Sequence, residues 1–283
     1  MSAFKPFSLR LGERLFPIER PQIMGIVNVT PDSFFSGSRT SDTLSISRRV
    51  EKLIAEGADM IDIGAYSSRP GADEVSPEEE ILRLQRGMKA IREVSHDIPV
   101  SVDTFRASVA RRAIEDFHAD IINDIAGGLL DPDMHDTVAS LSVPYILMHM
   151  RGTPSTMQSL TDYPSGVVAG VIEELSHQVN SLQQRGVADI IIDPGFGFAK
   201  TLQQNYQLMA GLDALHQAFD RPMLIGISRK SMITKALGIA TDEALNGTTV
   251  LNTISLLSGA AILRVHDVAA ARQALTLTSL LNQ

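Results

Sequence analysis

The 283-residue chain is predicted to be an α/β protein, a (β/α)8 TIM barrel with a short N-terminal hairpin plug. Three observations predict it. Eight short runs rich in Ile and Val alternate with segments whose apolar positions recur at helical spacing, the pattern of parallel strands joined by right-handed crossovers. Nearly every run leads straight into a polar cluster: Asn28 after IMGIV, Asp103 after PVSV, Asn123 after DII, Asp193 after DIII, Ser228, Arg229 and Lys230 after MLIGI, Arg264 and His266 after AAIL. A parallel barrel releases all its strands on one face, so polar strand ends converge there into a site. A doubly wound sheet would place a Gly-rich turn after its first strand. Here that position reads NVTPDSF.

In chain order, FSLRLG and ERLFPIE form the hairpin, with Gly12 at its turn. Strands are predicted at 23–27, 59–63, 98–102, 119–123, 144–148, 189–192, 222–227 and 261–265. Helical spacing without internal Pro predicts helices at 43–56, 77–95, 106–117, 167–185, 202–219 and 242–258. The long loops at 64–76 and 150–163 follow strands, which adds length and polarity to the catalytic face. A barrel of this length is expected to be one domain, residues 1–283.

Composition narrows the function. The chain is 44% hydrophobic and carries no Cys, so disulfides and thiolate chemistry are excluded and a cytoplasmic location is expected. No apolar run reaches the roughly 20 residues that cross a bilayer, and the start lacks a signal-peptide stretch. Net charge is −8, without a Lys/Arg block, and aromatics are 5%. Neither nucleic acid nor a membrane is an expected partner. Small molecules are, and an acidic chain that binds an anion must gather its cations locally.

Asp and Asn at strand ends usually cap helices. Three of them on one concave face, Asp103, Asn123 and Asp193, suit a flat heterocycle rich in N–H donors, such as a pterin or purine. Lys230 in GISRKS follows a strand and opens a helix, placed to reach a ring carbonyl or a phosphate, with Ser228 as a small donor beside it. Arg264 and His266 alternate on the last strand and read as a cation pair for phosphate. Asn28, Thr30, Asp32 and Ser33 offer oxygen ligands for Mg²⁺ held through a diphosphate. Arg69 in SSRPG reads as a loop guanidinium for a leaving phosphate. Gly195 and Gly197 permit close backbone approach, and of Phe196 and Phe198 one forms a wall and the other core.

MGIVNVTPDSF, SSRPG, SVDT, NDI, HMRGTP, DPGFGF, GISRKS and RVHDV, in this order from Gln22 onward, resemble the dihydropteroate synthase family. The resemblance implies that para-aminobenzoate displaces pyrophosphate from 6-hydroxymethyl-7,8-dihydropterin diphosphate to give 7,8-dihydropteroate, a folate precursor. It implies Asp103, Asn123, Asp193 and Lys230 as pterin contacts, with Met148 and Phe198 lining the pocket. Arg264, His266 and Asn28 would meet the diphosphate, Asn28 also Mg²⁺. Thr30, Asp32 and Phe34 would belong to the loop that closes over aminobenzoate, Ser68 and Arg69 to a second mobile loop, and Ser228 would lie near the aminobenzoate carboxylate. Asp103, Asp193, Lys230 and Arg264 are the expected catalytic set. A homodimer through the apolar last helices, such as LNTISLLSG, and sensitivity to sulfonamides are implied as well.

The chain departs from the family pattern in three places. FFSGS puts Ser36 where an acid is common, Tyr66 and Ser68 stand where Glu or Arg and Thr are usual, and Ala199 replaces Gly. A methyltetrahydrofolate methyltransferase would share the barrel and the Asp/Asn pterin site but has no use for SRPG, SRKS and RVH. A non-catalytic pterin-binding paralogue has only the altered loop residues in its favour.

Overall fold

The computed structural model describes residues 4–30, 39–66 and 75–282. Its strands are β1 (Phe7–Leu11), β2 (Arg14–Ile18), β3 (Gln22–Asn28), β4 (Met60–Gly64), β5 (Val100–Asp103), β6 (Ile121–Asp124), β7 (Tyr145–Met148), β8 (Ile190–Asp193), β9 (Leu224–Ile225) and β10 (Ile262–Val265). β1 and β2 pair antiparallel across a turn at Gly12. The other eight form a parallel sheet in the order β8-β7-β6-β5-β4-β3-β10-β9. A bridge between Ile192 and Met223 and a 2.9 Å hydrogen bond from the Ile192 amide to the Pro222 carbonyl close the ring. The expected eight-stranded barrel with its hairpin is the fold observed.

Strand alternation sorts the barrel into an outside and an inside. Ile23, Ile61, Val102, Ile122, Leu147, Ile192 and Leu263 join one large cluster with the helices. Their neighbours of opposite parity, Met24, Met60, Ile121, Ile146, Ile191, Leu224 and Ile262, join a second cluster with Leu9, Leu11 and Ile18 of the hairpin. The hairpin therefore seals the amino-terminal end of the barrel. Two residues further along the same inward rows stand Asp62, Asn123, Met148, Asp193, Gly226 and Arg264, and four along from Met24 stands Asn28. Lining the floor with hydrocarbon leaves the polar residues only the opposite mouth.

The helices are α1 (Arg39–Ala55), α2 (Pro77–Val94), α3 (Ala107–Glu115), α4 (Met134–Leu141), α5 (Val167–Gln184), α6 (Leu202–Ala210), α7 (Leu212–Phe219), α8 (Ser231–Leu237), α9 (Leu245–Leu257) and α10 (Val268–Ser279). Local chemistry starts several of them. Ser76 caps α2 by accepting from the Glu79 amide, with Pro77 and three glutamates in the first turn. Thr201 and Gln204 form a capping box on α6.

Two sequence expectations change. The single helix expected over 202–219 is two, because the chain turns at Gly211, where a Cβ would stand 2.5 Å from a Val168 methyl. The strand expected over 222–227 keeps only two ladder residues: Pro222 has no amide to donate, and the chain leaves the sheet after Ile225. Helix α8 opens at Lys230, its N-cap, as expected, while α4 and α10 lie outside the ranges predicted for helices. Among the described residues no helix is long and apolar enough to cross a membrane.

Candidate active site

Strand register builds the first row of the mouth. Asn28 lies opposite Gly64, Gly64 opposite Asp103, and Asp103 opposite Asn123, so four strand ends stand at one level. Met148 and Asp193 pair in the same way on β7 and β8. One layer below sits Asp62, fully buried, a residue the sequence reading missed because MIDIG looks like an ordinary apolar strand.

Asp62 turns out to be the hub. Arg264 Nε donates to Asp62 Oδ2 at 2.7 Å, and Nη2 reaches the same oxygen at 2.6 Å and Asp103 Oδ2 at 3.0 Å. Asn123 Nδ2 approaches Asp62 Oδ1 at 3.3 Å. The Arg264 guanidinium is held well above its ordinary pKa by Asp62 and Asp103 despite its burial. Burial pushes Asp103 up to about 7; Arg264 pulls against it, while Asp62 and Glu80 add to the rise.

On the far side of the mouth, the turn after β8 presents Asp193. Its Oδ1 accepts the Gly195 amide at 2.8 Å, an Asx turn that locks the carboxylate rotamer. Burial raises the Asp193 pKa, and Lys230 opposes the rise. The turn needs glycine: Gly195 has φ +70°, and a Cβ there would lie 1.9 Å from the His149 carbonyl oxygen.

Phe196 and Phe198 divide as expected, Phe196 fully buried in the core and Phe198 half-buried at the mouth, its ring 4.7 Å from Lys230 Nζ. Lys230 also donates to the Phe196 carbonyl at 2.5 Å, and burial lowers it to about 8 against the pull of Asp193. Ala199 holds φ +50°. Its methyl packs with Met148, Met150 and Met157; burying a methyl is worth about 0.8 kcal/mol, which offsets much of the roughly 1–2 kcal/mol cost of a left-handed alanine.

The SRK segment separates its residues by task. Arg229, at φ +56°, turns away and grips Asp267 with two hydrogen bonds of 2.8 and 2.9 Å, tying the end of β9 to the end of β10. Ser228 is buried, and its Oγ accepts the His266 amide at 3.1 Å and lies 3.2 Å from His266 Nδ1. It faces His266 rather than standing free at the mouth.

Burial and the charge of Arg264 pull His266 down to about 4. The expected cation pair is thus one cation, Arg264, beside a neutral imidazole whose Nδ1 shares a hydrogen bond with the Ser228 hydroxyl. Arg49 Nη2 fixes the segment by donating to the His266 carbonyl at 2.7 Å.

Tyr66, half-buried, meets the Phe105 ring edge-on at 5.1 Å. Arg106 covers both rings, at 5.4 and 4.9 Å, while pairing with fully buried Glu80 and donating to the Val75 carbonyl at 2.8 Å. An aromatic ring at this position therefore has a local packing partner. Thr30 is half-buried beyond β3. Asp32, Phe34, Ser36, Ser68 and Arg69 lie outside the described residues.

A parallel barrel whose mouth joins carboxylates, an amide, a lysine and a guanidinium belongs with enzymes that bind flat, nitrogen-rich rings. The model of the family described as pterin binding enzyme matches residues 24–266, and the chain belongs to this family. It is 40% identical over 277 residues to the dihydropteroate synthase of Clostridium beijerinckii, covering 96% of this chain and 99% of that one. Among solved structures it is similar to Xanthomonas albilineans dihydropteroate synthase with 4-aminobenzoic acid, at TM-score 0.89 and 36% identity over 98% of this chain and 99% of that one. The same enzyme in complex with 7,8-dihydropteroate matches at TM-score 0.85 and 34% identity, with the same coverage.

Gly195→Ala is expected to destabilise the protein by about 2–4 kcal/mol, because the new Cβ must push apart two backbone segments. Thermal unfolding checks it; a wild-type Tm would show that the turn yields and that Asp193 is less rigidly held than its hydrogen bonds imply.

Proposed function

We infer that this barrel condenses 6-hydroxymethyl-7,8-dihydropterin diphosphate with para-aminobenzoate to 7,8-dihydropteroate and releases pyrophosphate, a step of folate biosynthesis. The carrying observation is the Arg264 guanidinium held by Asp62 and Asp103 in the mouth that also contains Asp193 and Lys230. The likeness to dihydropteroate synthases over nearly the whole chain supports it, and residues 1–283 act as one domain in this reading.

Asp103, Asn123 and Asp193 take up the ring N–H groups, and Lys230 meets a ring acceptor above Phe198, beside Met148. As the C–O bond at the pterin methylene breaks, positive charge spreads into the ring and negative charge onto the leaving diphosphate. Asp103 and Asp193 stabilise the first; Arg264, His266 and Arg69 stabilise the second. A diphosphate oxygen can accept a hydrogen bond from the His266 ring and, by its charge, raise the imidazole pKa. The aminobenzoate amine is itself the nucleophile, held by the loops that carry Thr30, Asp32, Phe34 and Ser68, with its carboxylate near the Ser228 position, and sulfonamides compete for that place.

Mg²⁺ fits as an ion carried on the diphosphate. No cluster of three or more His, Asp or Glu side chains able to hold a metal occurs among the described residues, whereas the Asn28 side-chain oxygen is a hard donor at the end of β3, suited to an ion whose other ligands are phosphate and water. When bound it neutralises charge on the leaving group.

The chain is also proposed to form a homodimer. Leu245, Val250 and Ile254 of α9 are 40%, 51% and 40% exposed, and Leu277 of neighbouring α10 is 66% exposed. That apolar surface is costly in a monomer.

Purified protein is expected to release pyrophosphate from dihydropterin diphosphate and Mg²⁺ only when para-aminobenzoate is added. Lys230→Ala and Asp193→Asn should each cut kcat/KM by roughly 100-fold while circular dichroism stays unchanged; full activity in both would overturn the site. The pH dependence follows from Asp103. Its pKa of about 7 means that it gains a proton and loses its charge as pH falls, so KM for the pterin diphosphate should rise between about pH 8 and 6. Asp103→Asn should flatten that limb, and a flat wild-type profile would remove Asp103 from the ring site. Sedimentation equilibrium should give twice the chain mass, and a monomer at micromolar concentration would end the dimer proposal.

A further inference from the structure

Beneath the turn that presents Asp193 lies a lysine that the reaction does not use. Lys200 is 4% exposed, and its Nζ has three acceptors: His149 Nδ1 at 2.9 Å, the Gly195 carbonyl at 2.9 Å and the Phe198 carbonyl at 3.0 Å. An ammonium has three N–H donors, so every one is used. His149, 3% exposed, accepts at Nδ1 and donates from Nε2 to Glu174 Oε2 at 3.1 Å. Glu174 is gripped in turn by Arg151, whose guanidinium lies 3.8 Å over the Tyr163 ring, and the Tyr163 hydroxyl donates to the Ala199 carbonyl at 3.1 Å.

Burying a cation costs several kcal/mol, and an apolar side chain would fill the space at lower cost. Burial pulls the Lys200 pKa down to about 7 against the charge of Asp193, which shows that cost. The groups around it are Asp193 before the turn, His149 and Arg151 after β7, Glu174 on α5 and Lys230 at the start of α8.

What the ammonium secures is specific. Its two carbonyl acceptors flank the Phe196 carbonyl, which takes the Lys230 ammonium, and belong to the residues whose amide locks Asp193 and whose ring faces Lys230. We propose that Lys200 is a positioning residue for the pterin ring: by holding the Gly195 and Phe198 carbonyls together it sets the spacing of Asp193, the Phe196 carbonyl and the Phe198 ring on which ring binding depends. This rests on the pterin-site reading above.

The test compares wild type with Lys200→Met, which keeps the length and removes the donors. Lys200 places groups that meet the ring when it is bound and, through Asp193, as it reacts, so pterin binding should weaken and kcat need not be spared. KM for the pterin diphosphate should rise about tenfold, as expected for losing hydrogen bonds from a charged donor, with KM for para-aminobenzoate within about twofold. Affinity for 6-carboxypterin, read by calorimetry, should fall in parallel. A lower Tm with both pterin measures unchanged would reduce Lys200 to a structural residue and overturn the proposal.

If Lys200→Met does not fold, His149→Leu removes one of the three acceptors and should raise the same KM about threefold; an unchanged KM overturns the proposal by that route. Wild type that binds 6-carboxypterin but releases no pyrophosphate would sink the synthase reading alone. Weaker 6-carboxypterin binding by Lys200→Met would then still support the positioning role.

Discussion

A guanidinium inside a barrel is the constraint on which the rest of this molecule depends. Arg264 points inward from β10 and cannot give up its proton, so the interior must supply anions or lose the fold locally. Asp62 and Asp103 supply them from β4 and β5, across the barrel, and the pairing draws three strands into one electrostatic unit. Replacing such a cluster by hydrocarbon often leaves stability unchanged or improved. Its presence therefore points to chemistry, in which charges fixed in a desolvated place need no reorganisation when the reaction begins.

The charge balance around that cluster suits the reaction. Asp62, Asp103 and Asp193 face Arg264 and Lys230, three potential anions against two cations, in a setting where burial raises Asp103 and Asp193 and lowers Lys230. Asp103, Asp193 and Lys230 are thus each held away from the charge state they favour in water. A flat ring that offers N–H donors and gains positive charge as it reacts relieves the excess of acceptors, and a departing diphosphate meets the cation. The hydrophobic floor sealed by Leu9, Leu11 and Ile18 keeps water from entering below and so preserves the low dielectric on which these effects rely.

Much of this was legible in the chain. Ile and Val runs followed by polar residues report a parallel barrel, since a strand buried on both faces must be apolar until it emerges. Asn28, Asp103, Asn123 and Asp193 were therefore recognisable as neighbours although far apart in sequence. Asp62 was not, because a single acid inside MIDIG carries no local sign of the arginine it will meet two hundred residues later. Ser228 and His266 illustrate the converse. Both were visible as polar strand ends, but only the packing of β9 against β10 turns the hydroxyl toward the imidazole and leaves that imidazole neutral.

By itself, then, the sequence determined the class of fold, the face on which the site must form and the types of group available there, because periodicity, turn chemistry and composition are local properties. Tertiary structure decided which charges pair, which protonation states they hold and which residues support the site from below. Arg229 gripping Asp267, Arg106 covering Tyr66 and Lys200 meeting His149 are contacts between residues that no spacing rule connects. Electrostatic energy depends on distance and burial, and both exist only once the barrel has closed.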